Sequence, residues 1–252
     1  MEPRFVIEAG IEAFHHRPLK EEIFEILHKR IISGKYVLGE WLRQEEIASQ
    51  LGVSQTPVRE ALDLLVSAGL AERVPYRGVR VPSLTAEEIA EAYALRLLLE
   101  TVAVRAAATN RTMAHIETLS RLSEQSKELV TLNDMPNLRL LNREFHLSMV
   151  MASGNSLLTK MYVMVSNKFP DWMLYEYMFR HPDLLEPNLR REYEEHKAIA
   201  GAITDSDADL AIQHTIKHIR NLGNELVIFL DVPESLLRAA EEHLGSLIKF
   251  HK

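Results

Sequence analysis

Four side chains with metal-ligand chemistry stand at helical spacing in the second half of the sequence. Asn142 and His146 are four residues apart in NREFH, so both project from one face of a predicted helix. His196 falls on the apolar stripe of YEEHKAIAGAI. In AIQHTIKHIRNLGNEL, a rotation of about 100° per residue places His218 nearer to the buried face than His214. Three imidazoles and an amide oxygen from three helices would bind Zn, Ni or Mn.

The alternative for these histidines is a purely structural one. The chain has 11 histidines, and a histidine on an apolar stripe is usually a core residue that is satisfied by hydrogen bonds. Spacing by itself leaves both interpretations open.

Arg96 is a further candidate, in the segment AYALRLLLETVAV. It lies on an apolar stripe with Ile89 and Ala103, where an unpaired guanidinium would be costly. One interpretation is an ion pair with Glu100, four residues along the helix. The other is an effector-binding residue that holds a carboxylate ligand above the metal through two parallel hydrogen bonds, with Glu100 orienting the guanidinium.

A different chemistry is indicated by VSQTPVREAL in the first half. Ser54, Gln55, Thr56 and Arg59 lie on the polar side at the start of a predicted helix. Donors and acceptors in that position read base edges or hold phosphates. They are also typical of an ordinary surface helix.

The elements around this segment predict a winged helix-turn-helix. A helix in KEEIFEILHKRIISGK ends near Gly34, a second helix covers QEEIASQL, and Gly52 forms the turn. The third helix ends at Gly69, and two short strands, LAERV and VRV, flank PYRG. This order places the second helix of the pair in the DNA major groove.

The rest of the chain predicts an all-α bundle, so the fold class is mainly α. TAEE, beginning at Thr85, is a capping box for a long first helix. The six or seven expected helices include segments at about 112–132, 137–153, 155–168, 187–204, 206–230 and 233–249. We therefore expect two domains, 18–82 and 85–250, with a boundary near Pro82 and Ser83.

Composition limits the class of protein, its expected location and the kinds of metal site that it can contain. The 252 residues are 46% hydrophobic and 26% charged, which is typical of globular domains. No run of about 18 apolar residues and no signal-peptide core is present, so we expect a cytoplasmic protein without a membrane anchor. The absence of cysteine excludes disulfides and thiolate metal sites. Residues up to Pro82 carry 11 basic and 12 acidic side chains, so most of the net charge of -7 belongs to the bundle.

The first half resembles a known family of DNA-binding domains. EEIASQLGVSQTPVREALDLLVSAGLAERVPYRGVRV is similar to the DNA-binding domain of GntR-family bacterial transcription regulators, over residues 18–82. The resemblance implies contacts with double-stranded operator DNA from Ser54, Gln55, Thr56, Arg59 and the wing residues Arg77 and Gly78. Gln55 stands where many members have arginine, and glutamine pairs with adenine whereas arginine prefers guanine. The preferred operator sequence is expected to change accordingly.

The second half resembles the FCD ligand-binding domain of the FadR subfamily. Members bind a divalent metal through a D-x-x-x-H pair and two further histidines, and these positions fall on Asn142, His146, His196 and His218. Asn142 replaces the usual aspartate, which makes the fourth ligand neutral and weaker. The resemblance also implies a small carboxylate effector, for which Arg96 is the expected contact.

These observations predict a ligand-responsive transcription regulator, most simply a repressor that is released by a small organic acid. One locally neutral DNA-binding module offers few phosphate contacts, so a homodimer on a pseudo-palindromic operator is expected. A metal-dependent hydrolase is the alternative from another class, although the motif segments show no Glu or Asp on the inward face to act as a base. A regulator that senses the metal itself is the third possibility.

Overall fold

The N-terminal part of the chain is a winged helix-turn-helix, as the sequence predicted. The computed structural model describes residues 18–32, 35–129, 134–167, 169 and 171–245, so the predicted stop at Gly34 lies outside the described residues. The elements are α1 (Leu19–Ile32), α2 (Gln44–Leu51), α3 (Gln55–Ser67), β1 (Glu72–Val74) and β2 (Gly78–Arg80). Gly52 ends α2 with a φ of 67°, a left-handed conformation that favours glycine and makes the tight turn into α3.

Apolar stripes on α1 and α3 form the core of this part. Ile23, Leu27 and Ile31 recur at four-residue spacing on α1 and are fully buried, and they share one cluster with Val58 and Leu65 of α3. Each such side chain contributes about 1.5–3 kcal/mol when it is buried. The polar side of α3 is thereby directed away from the core.

The hairpin that follows α3 forms the wing. Strands β1 and β2 are antiparallel, with Glu72 opposite Arg80 and Val74 opposite Gly78. An isolated bridge joins Trp41 to Arg80, whose guanidinium lies 5.9 Å from the indole centroid. This third piece of extended chain was not predicted, and it fixes the hairpin to the segment before α2.

Eight helices follow the wing within the described residues, compared with the six or seven predicted. They are α4 (Ala86–Asn110), α5 (Met113–Ser126), α6 (Met135–Met151), α7 (Ser156–Ser166), α8 (Asp171–Arg180), α9 (Pro182–Thr204), α10 (Ala208–Leu230) and α11 (Glu234–Gly245). The additional helix is α8, in a segment for which the sequence predicted no helix. None of the helices in the described ranges is long and apolar enough to cross a membrane.

Helix α9 also begins earlier than predicted and runs through Pro187. A proline inside a helix costs about 3 kcal/mol or more, because a backbone hydrogen bond is lost. Leu185 and Leu189, on either side of it, are both buried in the bundle core, and together their burial contributes about 3–6 kcal/mol. Burial therefore outweighs the local penalty.

Helix α4 is the central helix of the bundle. The predicted capping box is confirmed at its start, where the Glu88 amide donates to Thr85 Oγ1 at 3.2 Å and the Thr85 amide donates to Glu88 Oε2 at 2.9 Å. Two apolar clusters divide the helix, one extending up to Leu97 and the other beginning at Leu99. Buried polar residues of α4 lie at the junction between these clusters.

Candidate functional site

Three histidines converge at this junction. His146 on α6, His196 on α9 and His218 on α10 are all buried, and their ligand nitrogens lie within 4.8 Å of one another. The Nε2 atoms of His196 and of His218 are each 3.2 Å from Nε2 of His146. His214, by contrast, is only half-buried.

Hydrogen bonds to carboxylates determine which nitrogen of two of these rings carries the proton. His146 Nδ1 lies 2.7 Å from Glu100 Oε2, and His218 Nδ1 lies 2.8 Å from Glu195 Oε2. An ionised carboxylate only accepts hydrogen bonds, so each Nδ1 is the donor and each neutral ring has an unprotonated Nε2. Carboxylates commonly orient metal-binding histidines in this way.

The unprotonated nitrogens point at each other. Burial lowers the pKa of His146 and brings that of His196 well below its ordinary value, so both rings are neutral near pH 7. Nε2 of His146 has one lone pair and can accept a hydrogen bond from only one of the two Nε2 atoms that lie 3.2 Å from it, so the other nitrogen is repelled. A cation between the rings converts this repulsion into attraction, and the arrangement is therefore suited to a divalent metal.

Glu100 connects the histidines to Arg96. Its Oε1 accepts a hydrogen bond from Arg96 Nε at 2.6 Å, and both side chains are buried. Burial by itself would raise the pKa of Glu100, but the charges and hydrogen bonds of His146 and Arg96 bring it down to about 2. The ion pair that the sequence offered as one interpretation of Arg96 is thus present. Arg96 also lines the same cavity as His218.

Asn142 is adjacent to this cluster and has one unsatisfied atom. Its Nδ2 donates to the Tyr175 hydroxyl at 2.9 Å, whereas its buried Oδ1 accepts no hydrogen bond from the described residues. A buried amide oxygen without a partner costs about 1–3 kcal/mol. Asn142 lines one cavity with His218 and another with His196, so this oxygen is available to a cation at the cluster.

The cavity beside His218 is small. Its volume is about 30 Å³, which corresponds to roughly one water molecule. Its lining includes Glu192, Glu195 and Glu225, so the expectation that no carboxylate faces inward was wrong. Glu195 directly precedes His196 and forms an i, i+4 ion pair with Arg191, a spacing that is equally typical of an exposed helix face, so local spacing did not reveal its inward position.

The residues predicted to contact DNA are all exposed on the N-terminal part. Gln55, Arg59, Arg77 and Gly78 line one groove of about 490 Å³ between α3 and the hairpin, whereas Ser54 and Thr56 do not line it. Ser54 precedes α3 with an extended backbone, and its hydroxyl makes no capping hydrogen bond. The groove thus presents hydrogen-bonding groups and positive charge along one face.

Two further arginines of this groove were missed by sequence reasoning. Arg43 lies just before α2, and Arg73 is in β1, where it forms an ion pair with Asp63. Glu45 and Glu46 line the same groove. The positive charge of the groove is therefore partly compensated.

Comparison with known proteins supplies independent information on both halves. Residues 19–81 match the gntR family of bacterial regulatory proteins, and residues 91–221 match the FCD domain. A probable D-xylose utilization operon transcriptional repressor from Paenarthrobacter nicotinovorans is 32% identical over 197 residues, which are 78% of this chain and 83% of the relative. The gluconate operon transcriptional repressor of Bacillus subtilis (strain 168) is 29% identical over 187 residues, 74% of this chain and 76% of the relative.

Solved structures show the same fold. The structure of E. coli McbR/YncC has a TM-score of 0.59 at 24% identity and covers 83% of this chain and 98% of its own. A putative transcriptional regulator GntR from Rhodococcus sp. RHA1 has a TM-score of 0.58 at 20% identity, covering 82% and 97%. At sequence identities of 24% and 20%, these similarities show a shared fold and nothing further.

Proposed function

Since this chain belongs to the GntR family of bacterial regulatory proteins and carries an FCD domain, we propose that it is a repressor controlled by a metal-bound organic acid. Membership makes it a DNA-binding transcription regulator and not an enzyme. Residues 18–82 would form the DNA-binding domain, and residues 85–250 would form the effector-binding domain.

The groove between α3 and the hairpin supports the DNA-binding roles. Arg59 would contact a guanine through two hydrogen bonds, and Gln55 would contact an adenine. Arg77 and Gly78 at the start of β2 would approach the minor groove, while Ser54 and Thr56 would bind near the start of α3. Since part of the positive charge in this groove is compensated, one copy would bind weakly and two copies would be needed.

A homodimer is supported by an apolar surface on the bundle. Leu157, Met161 and Met164 form an exposed stripe at four- and three-residue spacing on α7, and α7 packs against α4, which exposes Val102. We assign this surface to a second copy of the chain. In sedimentation velocity, Met161→Lys should give a monomer, whereas the matched control Met113→Lys on α5 should stay dimeric. A dimeric Met161→Lys protein would refute the assignment.

The convergence of three buried imidazoles, with Nε2 of His196 and of His218 each 3.2 Å from Nε2 of His146, is the observation that carries the metal site. His146, His196 and His218 would hold the ion, and the unsatisfied Oδ1 of Asn142 would be a weak fourth ligand. Imidazole suits Zn or Ni, and an amide oxygen also suits Mn. When bound, the ion would supply a Lewis-acidic position for a carboxylate oxygen.

Charge supports an organic acid as the effector. Four neutral ligands leave the charge of the ion uncompensated, because the nearby carboxylates of Glu100 and Glu195 form ion pairs with Arg96 and Arg191. An anion would complete the shell, with Arg96 as its second contact. A cavity of about 30 Å³ requires side chains to move apart for this ligand, and α4 would carry the change into the Pro82–Thr85 linker.

One operator-binding experiment separates the components of this proposal. Fluorescence anisotropy would be recorded with protein stripped by chelator, loaded with Zn²⁺, and loaded with Zn²⁺ plus gluconate, malonate or citrate. Arg59→Ala should cost about 1–3 kcal/mol of operator affinity in every state, whereas the distant Arg121→Ala control should cost nothing. Unchanged affinity in Arg59→Ala would refute its contact with a base.

Two bundle variants address the metal and the acid. His196→Ala should lose the metal in elemental analysis, and full retention would reject the site. Arg96→Ala should keep the metal and the effector-free operator affinity but should lose the response to the acid. If the response is retained, Arg96 does not bind the effector and serves only as the ion-pair partner of Glu100. Release of DNA by Zn²⁺ without any acid would favour the alternative in which the metal is the signal.

A further inference from the structure

Arg143 joins the two halves of the chain through one hydrogen bond, and a second hydrogen bond within the bundle holds its guanidinium in place. Its Nη1 donates to the backbone carbonyl of Ser67 at 3.2 Å, and its Nη2 donates to Asn167 Oδ1 at 2.9 Å. Ser67 is the last residue of α3, and Arg143 is on α6. The guanidinium therefore links the bundle to the end of the recognition helix.

The contact lies at the end of α3 where it can control the orientation of the recognition helix. Carbonyls in the last turn of a helix lack intrahelical donors and form the negative end of the helix dipole, so a cation is favoured there. Gln55 and Arg59 are at the opposite end. A 13-residue helix is a rod of about 20 Å, so a tilt imposed at Ser67 displaces the DNA-contacting end.

Helix α6 carries this contact and the candidate metal ligands together. Arg143 follows Asn142 directly and precedes His146 by three residues. One turn earlier, Arg139 Nη1 lies 3.5 Å from His28 Nε2 on α1. A displacement of α6 at the metal site would therefore be transmitted through these contacts to both α1 and α3.

A cavity beside this contact leaves room for such a shift. It has a volume of about 320 Å³ and is lined by residues of α1, α6 and α8, including His28, and by Phe169 between α7 and α8. Asn142 and Tyr175, which are hydrogen-bonded to each other, line both this cavity and the one beside His218. The pair separates the metal site from the space between the two halves.

We propose that Arg143 is a positioning residue that fixes the orientation of the recognition helix relative to the metal-bearing helix α6. This route is separate from the one through α4 and the linker. Its regulatory consequence rests on the proposed function: occupation of the histidine cluster would alter operator affinity through Arg143.

The first test measures orientation without DNA or metal. Because the chain has no cysteine, Glu60→Cys on α3 and Glu117→Cys on α5 would provide two unique spin-label positions. Labelled protein would be diluted with unlabelled protein so that only distances within one chain contribute. Arg143→Gln should broaden or shift the distance distribution, and Arg143→Lys, which can keep only one of the two hydrogen bonds at a time, should lie between it and the unsubstituted protein.

Arg121→Gln is the matched control for this measurement, because Arg121 is exposed on α5 and bonds only to Gln125 among the contacts described. It should reproduce the unsubstituted distribution. Identical distributions for Arg143→Gln and the unsubstituted protein would overturn the positioning role.

The second test measures the ratio of operator affinities with Zn²⁺-loaded and metal-stripped protein. Arg143→Gln should keep its metal content while this ratio falls several-fold towards one. A retained ratio alongside a broadened distance distribution would overturn the role of Arg143 in signalling. A ratio of one in the unsubstituted protein would contradict metal control in the proposed function, and the spin-label distances would then decide the positioning role independently.

Discussion

Asn142 is the single residue whose chemistry most affects the proposed metal site. It occupies a position from which a carboxylate would neutralise part of the charge of the ion, but its amide is neutral. The charges of the nearest carboxylates are already paired with cations, since Glu100 forms an ion pair with Arg96 and Glu195 lies 3.8 Å from Arg191. The deficit of negative charge at this residue is what would make the site depend on an anionic ligand.

Asn142→Asp is therefore expected to raise metal affinity by at least about tenfold, because a full negative charge replaces an amide dipole beside the ion. Competition with a fluorescent chelator would measure the change. Asn137→Asp, on the same helix but exposed, adds the same charge away from the histidines and should leave the affinity nearly unchanged. Equal effects of the two substitutions would show that Asn142 does not ligate the metal.

The inward direction of the ligand side chains could be predicted from the sequence, whereas their supporting partners could not. His146, His196 and His218 each fall on an apolar stripe, so periodicity alone directs them to the core. Glu100 and Glu195 approach them through the packing of α4 against α6 and of α9 against α10. Such contacts depend on how helices from distant parts of the chain are arranged, and local spacing contains no record of that arrangement.

Among the helices, α8 and the start of α9 differ most from the prediction, since α8 was not predicted and α9 begins earlier than predicted. The segment HPDLLEP contains two prolines and an aspartate, a composition typical of a break between helices. Pro182 occupies the first turn of α9, where no intrahelical amide bond is lost, and Pro187 is tolerated because Leu185 and Leu189 are buried. Burial of these leucines in the bundle core stabilises the helix here, whereas the composition of the segment predicted that no helix would form.

The packing of α10 on α4 depends on one glycine. A Cβ at Gly223 would lie 2.9 Å from Cε2 of Tyr93, whose hydroxyl donates to Glu241 of α11 at 2.5 Å. Gly223→Ala should therefore destabilise the bundle by about 1–3 kcal/mol, measured by thermal unfolding, although alanine is the better helix former. Gly201→Ala on α9 is the control, because nothing lies within 4 Å of its Cβ position. It should be neutral or stabilising, and equal effects would contradict the packing argument.

The two halves of the molecule meet where two arginines of the bundle contact an imidazole and a backbone carbonyl of the N-terminal part. Arg139 and Arg143 of the bundle contact His28 of α1 and the carbonyl of Ser67 at the end of α3. His28 is buried and stacks on Phe24, with ring centroids 5.8 Å apart. A charge on His28 would be both desolvated and repelled, so this junction is built for a neutral imidazole.

The junction should therefore lose stability in mild acid. Burial, followed by the charge of Arg139, lowers the pKa of His28 from 6.5 to about 4; among the nearer charges, Glu25 opposes this shift and Lys29 adds to it. Between these two pH values the unfolded chain holds a proton that the folded chain does not, so folding stability falls as the pH decreases from 6.5 towards 4. The loss contributed by His28 should be about 1.5 kcal/mol between pH 6.5 and pH 5.

Urea unfolding monitored by Trp41 fluorescence would measure this loss, with Trp172→Phe in every protein so that Trp41 is the only tryptophan of the two in the chain. His28→Gln keeps a neutral polar side chain but cannot titrate, so the Trp41 transition should lose this part of its pH dependence. His214→Gln, which removes a half-buried histidine of α10 outside the junction, should leave the transition unchanged. If His28→Gln and the parent protein lose stability equally in acid, His28 is not the group that makes the junction pH-sensitive.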